Sequence, residues 1–270
     1  MHLWNLILEI KSILILKNQL PIKSLIMKTA IITGASSGIG EATAHALAQE
    51  GYAVILAARS FDKLQDLKSD LVAKGYKAIA VKADVTNRED MKAVAKATID
   101  EFGRIDVLIN NAGIMPLSFL KNLHEDQWEQ TIDVNIKGVM NSISAVLPAM
   151  MEQKDGHIVN ISSIAGISVF PSAAVYCGTK YAVEAITEGI RLELTVPYNI
   201  RATSIRPGGV ETNLMSTITD QEVFAAFEPM LSSVKMLQSE DIAKAIVYAV
   251  NQDPNVSIDH VCVRPSNQMM

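Results

Sequence analysis

The 270-residue chain carries 24 basic and 29 acidic residues, a formal net charge of −5, and 49% of its residues are apolar. With no block of like charge, it is a poor match for a nucleic-acid or anionic-membrane partner, and apolar residues along its whole length can fill one large α/β core. Two cysteines, Cys177 and Cys262, make no disulfide framework, and His2, His45, His124, His157 and His260 share no metal-ligand spacing, so a metal-free cytoplasmic protein is expected.

Residues 1–26 stand apart from the rest of the chain. Leu3–Leu16 is rich in Leu and Ile, but Glu9 and Lys11 leave no run long enough for a spanning helix. No basic stretch precedes it and no small-residue cleavage site comes after it, which speaks against a signal peptide. Two readings stay open: an extension created by start-site choice, since Met27-Lys28-Thr29 would begin a complete domain, or an apolar surface helix touching membrane or a partner.

From Met27 onward, short apolar runs alternate with helical stretches. The strand-like runs are Ala30–Thr33, Ala53–Ala58, Ala78–Val81, Val107–Asn110, His157–Ile161, Arg201–Ile205 and Val256–Val263. Between them, Glu41–Glu50, Phe61–Lys74, Arg88–Phe102, Asp126–Met151, Ala173–Thr195 and Ser239–Asn251 read as amphipathic helices. Such alternation implies right-handed βαβ units, and therefore a single Rossmann-type, doubly wound, seven-strand parallel sheet flanked by helices over residues 27–270. Gly208–Met236 is long and poorly periodic, and is expected to be a substrate loop or lid.

The first run leads into Thr33-Gly34-Ala35-Ser36-Ser37-Gly38-Ile39-Gly40 and then directly into a helical pattern. Glycines there permit a tight turn and let backbone approach a pyrophosphate at the helix N-terminus. The second run ends Ala57-Ala58-Arg59-Ser60, without the carboxylate that would bind ribose hydroxyls. Arg59 can instead offer a bidentate fork to a 2′-phosphate, so NADP is favoured over NAD. Further on, Tyr176 and Lys180 sit four apart on one helix face. A tyrosine, with its ordinary pKa near 10, needs a nearby cation to serve as a base. Ser163 ends the preceding strand, where its hydroxyl can hold a substrate oxygen, and Asn135 is a polar residue within an apolar helical stretch.

In this order, Thr33–Gly40, Asp84-Val85, Asn110-Asn111-Ala112-Gly113, Asn135, Ser163, Tyr176, Lys180 and Pro207-Gly208 resemble the short-chain dehydrogenase/reductase family, from Met27 to about Pro265. The resemblance implies that Tyr176 is the acid/base, Ser163 polarises the carbonyl and Lys180 binds the nicotinamide ribose and lowers the tyrosine pKa. It implies that Asn135 holds a water linking Lys180 to solvent. It also implies cofactor contacts from Gly34, Ser36, Ser37, Gly38, Ile39 and Gly40, with Asp84 and Val85 at the adenine and Asn111, Ala112 and Gly113 at the adenosine ribose. Pro207, Gly208, Val210 and Thr212 would meet the nicotinamide. Ser37 stands where many NADP-using members have Arg or Lys, leaving the phosphate contact to Arg59.

Substrate is expected along Ile114–Phe119, Ile164–Pro171 and Glu211–Met236, through Met115, Leu117, Ile167, Val169, Phe170, Leu214, Met215, Phe224, Phe227 and Met230. An apolar, Met-bearing pocket suits a medium-sized carbonyl compound. Val256–Pro265 is similar to NADP-dependent reductases of 3-hydroxy acids and assorted ketones. The alternatives are a 3-oxoacyl carrier-protein reductase, a sugar or steroid dehydrogenase, or a non-catalytic nucleotide-sensing regulator. Cys177, beside the tyrosine, reads as a packed residue rather than a redox-sensitive thiol. Apolar positions on Asp126–Met151 and Ala173–Thr195 exceed what one sheet face covers, so a homotetramer or dimer is expected.

Overall fold

The computed structural model describes residues 27–231 and 234–268, with the side chains of 227–231 outside that description. The proposed extension, residues 1–26, also lies outside the described residues.

Seven strands form one sheet: β1 (Thr29–Thr33), β2 (Ala53–Ala58), β3 (Ala78–Lys82), β4 (Val107–Asn110), β5 (Gly156–Ile161), β6 (Ile200–Pro207) and β7 (His260–Val263). Their order is β3-β2-β1-β4-β5-β6-β7, and every pairing is parallel. β1, β2, β4 and β5 are almost entirely buried, as strands covered on both faces must be. Because the order reverses between β1 and β4, a crevice opens at the carboxyl ends of those strands.

The helices are α1 (Gly38–Gln49), α2 (Phe61–Ala73), α3 (Arg88–Phe102), α4 (Glu125–Ile132), α5 (Gly138–Gln153), α6 (Ala174–Tyr198), α7 (Gln221–Leu231) and α8 (Ser239–Val250). Side-chain alternation along β1 divides the core. Ala30 and Ile32 join Leu47 of α1 and Ile246 of α8 on one face. Ile31 joins Val94 of α3 and Met150 of α5 on the other. Burying each such side chain contributes about 1.5–3 kcal/mol. At the amino edge, Thr29 donates its backbone N–H to Asp106 Oδ2 at 2.8 Å, and Arg104 pairs with the same carboxylate. Among the described residues, no helix is long and apolar enough to cross a membrane.

Three expectations are corrected. Strand β7 starts at His260 and not at Val256, because side chains of β6 occupy the carbonyls that a longer ladder would use. Arg201 Nη1 donates to Val256 O at 3.0 Å and Thr203 Oγ1 to Ile258 O at 2.6 Å. The stretch Asp126–Met151 is not one α-helix. A π-helical turn, Asp133–Lys137, separates α4 from α5 and carries Asn135 inward. The region 208–236 is more than a loop: it holds a 3-10 turn at Asn213–Thr217 and helix α7. Asp220 starts that helix by accepting the N–H of Glu222 at 3.0 Å and of Val223 at 3.4 Å.

Candidate active site

The turn after β1 is fixed by side chains that reach across the switch point. Thr33 Oγ1 accepts the N–H groups of Asn111 (3.0 Å) and Ala112 (3.1 Å), while Asn111 Nδ2 donates to the carbonyls of Thr33 (3.0 Å) and Gly34 (3.2 Å). Gly34 has φ +65, and a Cβ there would stand 2.9 Å from Ala112 Cα. A Cβ on Gly40 would fall 2.3 Å from Gly34 O. Both positions therefore require glycine. Ser37 precedes α1 in extended conformation, and no side chain caps the helix. The open first-turn N–H groups thus face a cleft suited to an anion.

That cleft, about 670 Å³ in volume, runs from the turn and Arg59 past Asp84 and Val85 to Ser163, Tyr176 and Lys180. Ser36, Ser37, Gly38, Ile39, Asn111, Ala112, Gly113, Pro207, Gly208, Val210 and Thr212 also face it. Gly40 and Asn135 stand behind the wall. Arg59 is exposed and has no ion pair among the described residues. Asp84 is half-committed: its Oδ1 accepts the N–H and hydroxyl of Thr86 at 2.9 and 2.7 Å.

Asn135 is almost wholly buried. Its Oδ1 accepts the Ile114 N–H at 3.0 Å; its Nδ2 donates to Ile114 O at 2.9 Å and to Thr179 Oγ1 at 3.1 Å. The amide therefore ties the segment after β4 to α6, beside the catalytic candidates.

Ser163 follows β5, and its hydroxyl accepts the Ala165 N–H at 3.1 Å. Burial pushes the Tyr176 phenol up to about 12, and a hydrogen bond with Ser163 partly offsets that rise. Burial also lowers Lys180 to about 8, against the opposing pull of Glu184 one turn on. Lys180 Nζ donates to Ile161 O at 2.8 Å. The Ser163 hydrogen bond thus lowers the tyrosine pKa, and the Lys180 ammonium, 5.7 Å from the centre of the Tyr176 ring, stands close enough to favour the phenolate while it is charged. Glu184 is held below its usual range: burial raises it, but hydrogen bonds from Arg206, Ser162 and Ser204 more than compensate. Buried Cys177 has its thiol pushed up, by burial first, which leaves it a packing residue.

At the far end of the cleft, Ile114, Met115, Leu117, Ile164, Leu214 and Met215 form an apolar wall. Four expected pocket residues are not in it. Ile167, Val169 and Phe224 are exposed, and Phe170 packs into the neighbouring cluster of Leu117, Ala165 and Cys177. Phe227 and Met230 lie outside the described side chains. The 208–236 region is anchored over this wall by Asn122 Nδ2 donating to Asp220 Oδ2 at 2.8 Å and by a Lys121–Glu222 ion pair at 2.7 Å.

Sequence reasoning missed Asn267 and Gln268, while Met236 closes the expected segment Glu211–Met236. Gln268 Oε1 accepts the Gly209 N–H at 2.9 Å. The one available signal was indirect: β7 pairs with β6, so the tail after β7 emerges beside Pro207-Gly208.

A family model described as short chain dehydrogenase matches residues 28–223. The chain is 46% identical over 245 residues to an uncharacterized oxidoreductase of Staphylococcus saprophyticus, spanning 90% of this chain and 98% of that one. Among solved structures, it is similar to an alcohol dehydrogenase from the archaeon Thermococcus sibiricus complexed with 5-hydroxy-NADP. That match has a TM-score of 0.79 and 29% identity, over 90% of this chain and 98% of the other. A closed-form serine dehydrogenase complexed with NADP+ matches with a TM-score of 0.82 and 30% identity, over 90% and 96%.

Proposed function

This chain belongs to the short chain dehydrogenase family of oxidoreductases, and on that footing we propose that it transfers hydride between NADP(H) and a carbonyl or secondary-alcohol group. The observation that carries the proposal is one cleft joining an uncapped, glycine-lined helix start to Ser163, Tyr176 and Lys180.

The residues present fit the cofactor. First-turn N–H groups of α1 suit the pyrophosphate, Arg59 the 2′-phosphate, Asp84 and Val85 the adenine, and Asn111, Ala112 and Gly113 the adenosine ribose. Lys180 would hold the nicotinamide ribose, and Pro207, Gly208, Val210 and Thr212 the carboxamide end. When bound, NADPH supplies the hydride. In the reducing direction Tyr176 gives its phenolic proton to the carbonyl oxygen, which Ser163 holds by hydrogen bond. A phenol raised to about 12 keeps its proton at neutral pH and is available as the acid. In the oxidising direction the same oxygen must lose its proton, which calls for added positive charge nearby. Asn135 positions this machinery by bracing Ile114 and Thr179.

A homodimer or homotetramer belongs to the same proposal. Ile132 and Met140 around the π-turn, and Leu192 and Val196 on α6, are 41%, 46%, 64% and 93% exposed. Apolar side chains on a second helix face gain by burial against another subunit. Two free thiols fit a reducing compartment such as the cytoplasm. The test of function is a screen of carbonyl compounds and alcohols, monitored by the absorbance of NADPH. No turnover across a broad panel would refute it.

A further inference from the structure

Building on that oxidoreductase reading, we infer that the substrate is an uncharged, mainly apolar carbonyl compound, and that the site discriminates against carboxylate- or phosphate-bearing substrates.

The inference comes from where cations are missing. Three segments face the substrate end. Residues 111–120 and 163–176 contain no charged side chain at all. Residues 208–236 contain four acidic residues, Glu211, Asp220, Glu222 and Glu228, against the single base Lys235. The third segment therefore carries a formal charge of 1 − 4 = −3. Within 208–236 the shortage of cations holds for every residue, because it is a property of composition.

Nearby cations are committed or face elsewhere. Lys121 pairs with Glu222, and Arg206 forks onto Glu184, each outside the cleft wall. Lys235 and Arg264 are exposed and do not line the cleft. Lys180 is the one base at the reacting end, and its ammonium already serves Ile161 O and the ribose role proposed above. Arg59 stands at the opposite, adenosine end.

An anionic substituent entering beside Leu117, Leu214 and Met215 would lose its water and find no compensating charge among the described residues. Such a transfer is costly. A neutral chain gains from the same surfaces. The run Val256–Pro265 lies at the edge of the sheet and supplies no cation to the pocket.

Matched neutral and anionic ketones test the inference. A panel including ethyl acetoacetate with acetoacetate, and methyl levulinate with levulinate, would be reduced by the full chain with NADPH at neutral pH. The expected kcat/KM favours each ester by at least about 100-fold, the scale on which sites reject substrates whose polar groups go unpaired. Leu214→Arg should shrink that ratio at least about tenfold, by giving the carboxylate a partner. Ratios near unity, or favouring the acids, with turnover intact would overturn this inference and leave the oxidoreductase reading standing. If NADPH binds, seen by its fluorescence, yet no ketone is reduced, the oxidoreductase reading fails and takes this inference with it.

Discussion

Lys180 stands 5.7 Å from the centre of the Tyr176 ring, yet its ammonium hydrogen-bonds Ile161 O at 2.8 Å, on the preceding strand. The cation thus has a backbone anchor of its own, while burial raises the phenol and the Ser163 hydrogen bond partly offsets that rise. Tyr176→Phe keeps the ring and removes the oxygen. Turnover should fall about 100- to 10,000-fold while NADPH still binds. More than about a tenth of the activity remaining would mean that another group moves the proton.

Because burial holds Lys180 at about 8, its positive charge is present below that pH and lost above it. NADP+ affinity should accordingly be flat from pH 6 to 7.5, on the scale set by that value, and weaken at higher pH. Lys180→Ala should weaken binding throughout and abolish the inflection. Titration calorimetry across this range checks both, and an unchanged inflection in the variant would assign it to another group.

Arg59→Asp exchanges a free guanidinium for a carboxylate that repels a 2′-phosphate. KM for NADPH should rise by about 10- to 100-fold, the worth of one or two charge-assisted hydrogen bonds, while KM for NADH falls or holds. Equal NADPH constants in both proteins would show that Arg59 takes no part in cofactor choice.

Asn135→Ala removes three hydrogen bonds and strands the part-buried N–H and C=O of Ile114. A loss of about 1–3 kcal/mol of stability should result, read by denaturant titration, together with lower kcat. Wild-type stability in the variant would show that water replaces the amide fully.

His157 carries a pH signature. Thr203 Oγ1 donates to Ile258 O, so the 2.8 Å contact with His157 requires that Nε2 carry the proton. Burial, reinforced by Arg201 and Lys28, depresses the ring to about 3. The unfolded chain takes up that proton near 6.5 and the folded chain only near 3, so stability is complete above 6.5 and lost as pH falls toward 3. Between about pH 5.5 and 4, well inside that window, this group should contribute a slope of about 1.4 kcal/mol per pH unit. His157→Gln should flatten that part of the profile, and an identical slope would place the effect elsewhere.

The strands were readable because buried parallel strands are unbroken apolar runs, and their limits differ by a residue or two at most, except in β7. There the deciding contacts come from Arg201 and Thr203 on another strand, which no local pattern records. Ser163, Tyr176 and Lys180 were readable because their spacing is itself the geometry. The π-turn around Asn135 was not, since its hydrogen-bond partners Ile114 and Thr179 are 21 and 44 residues away. For the same reason Asp220 showed no sign of anchoring α7: it meets Asn122 across 98 residues.

Gln268 braces Gly209 with its side-chain carbonyl, and a Cβ on Gly208 would come within 2.3 Å of the same oxygen. The tail after β7 is thereby a working part of the cofactor cleft. A substitution at Gln268 would be felt as altered nicotinamide handling rather than as lost fold, because the contact lies at the cleft wall and not in the core.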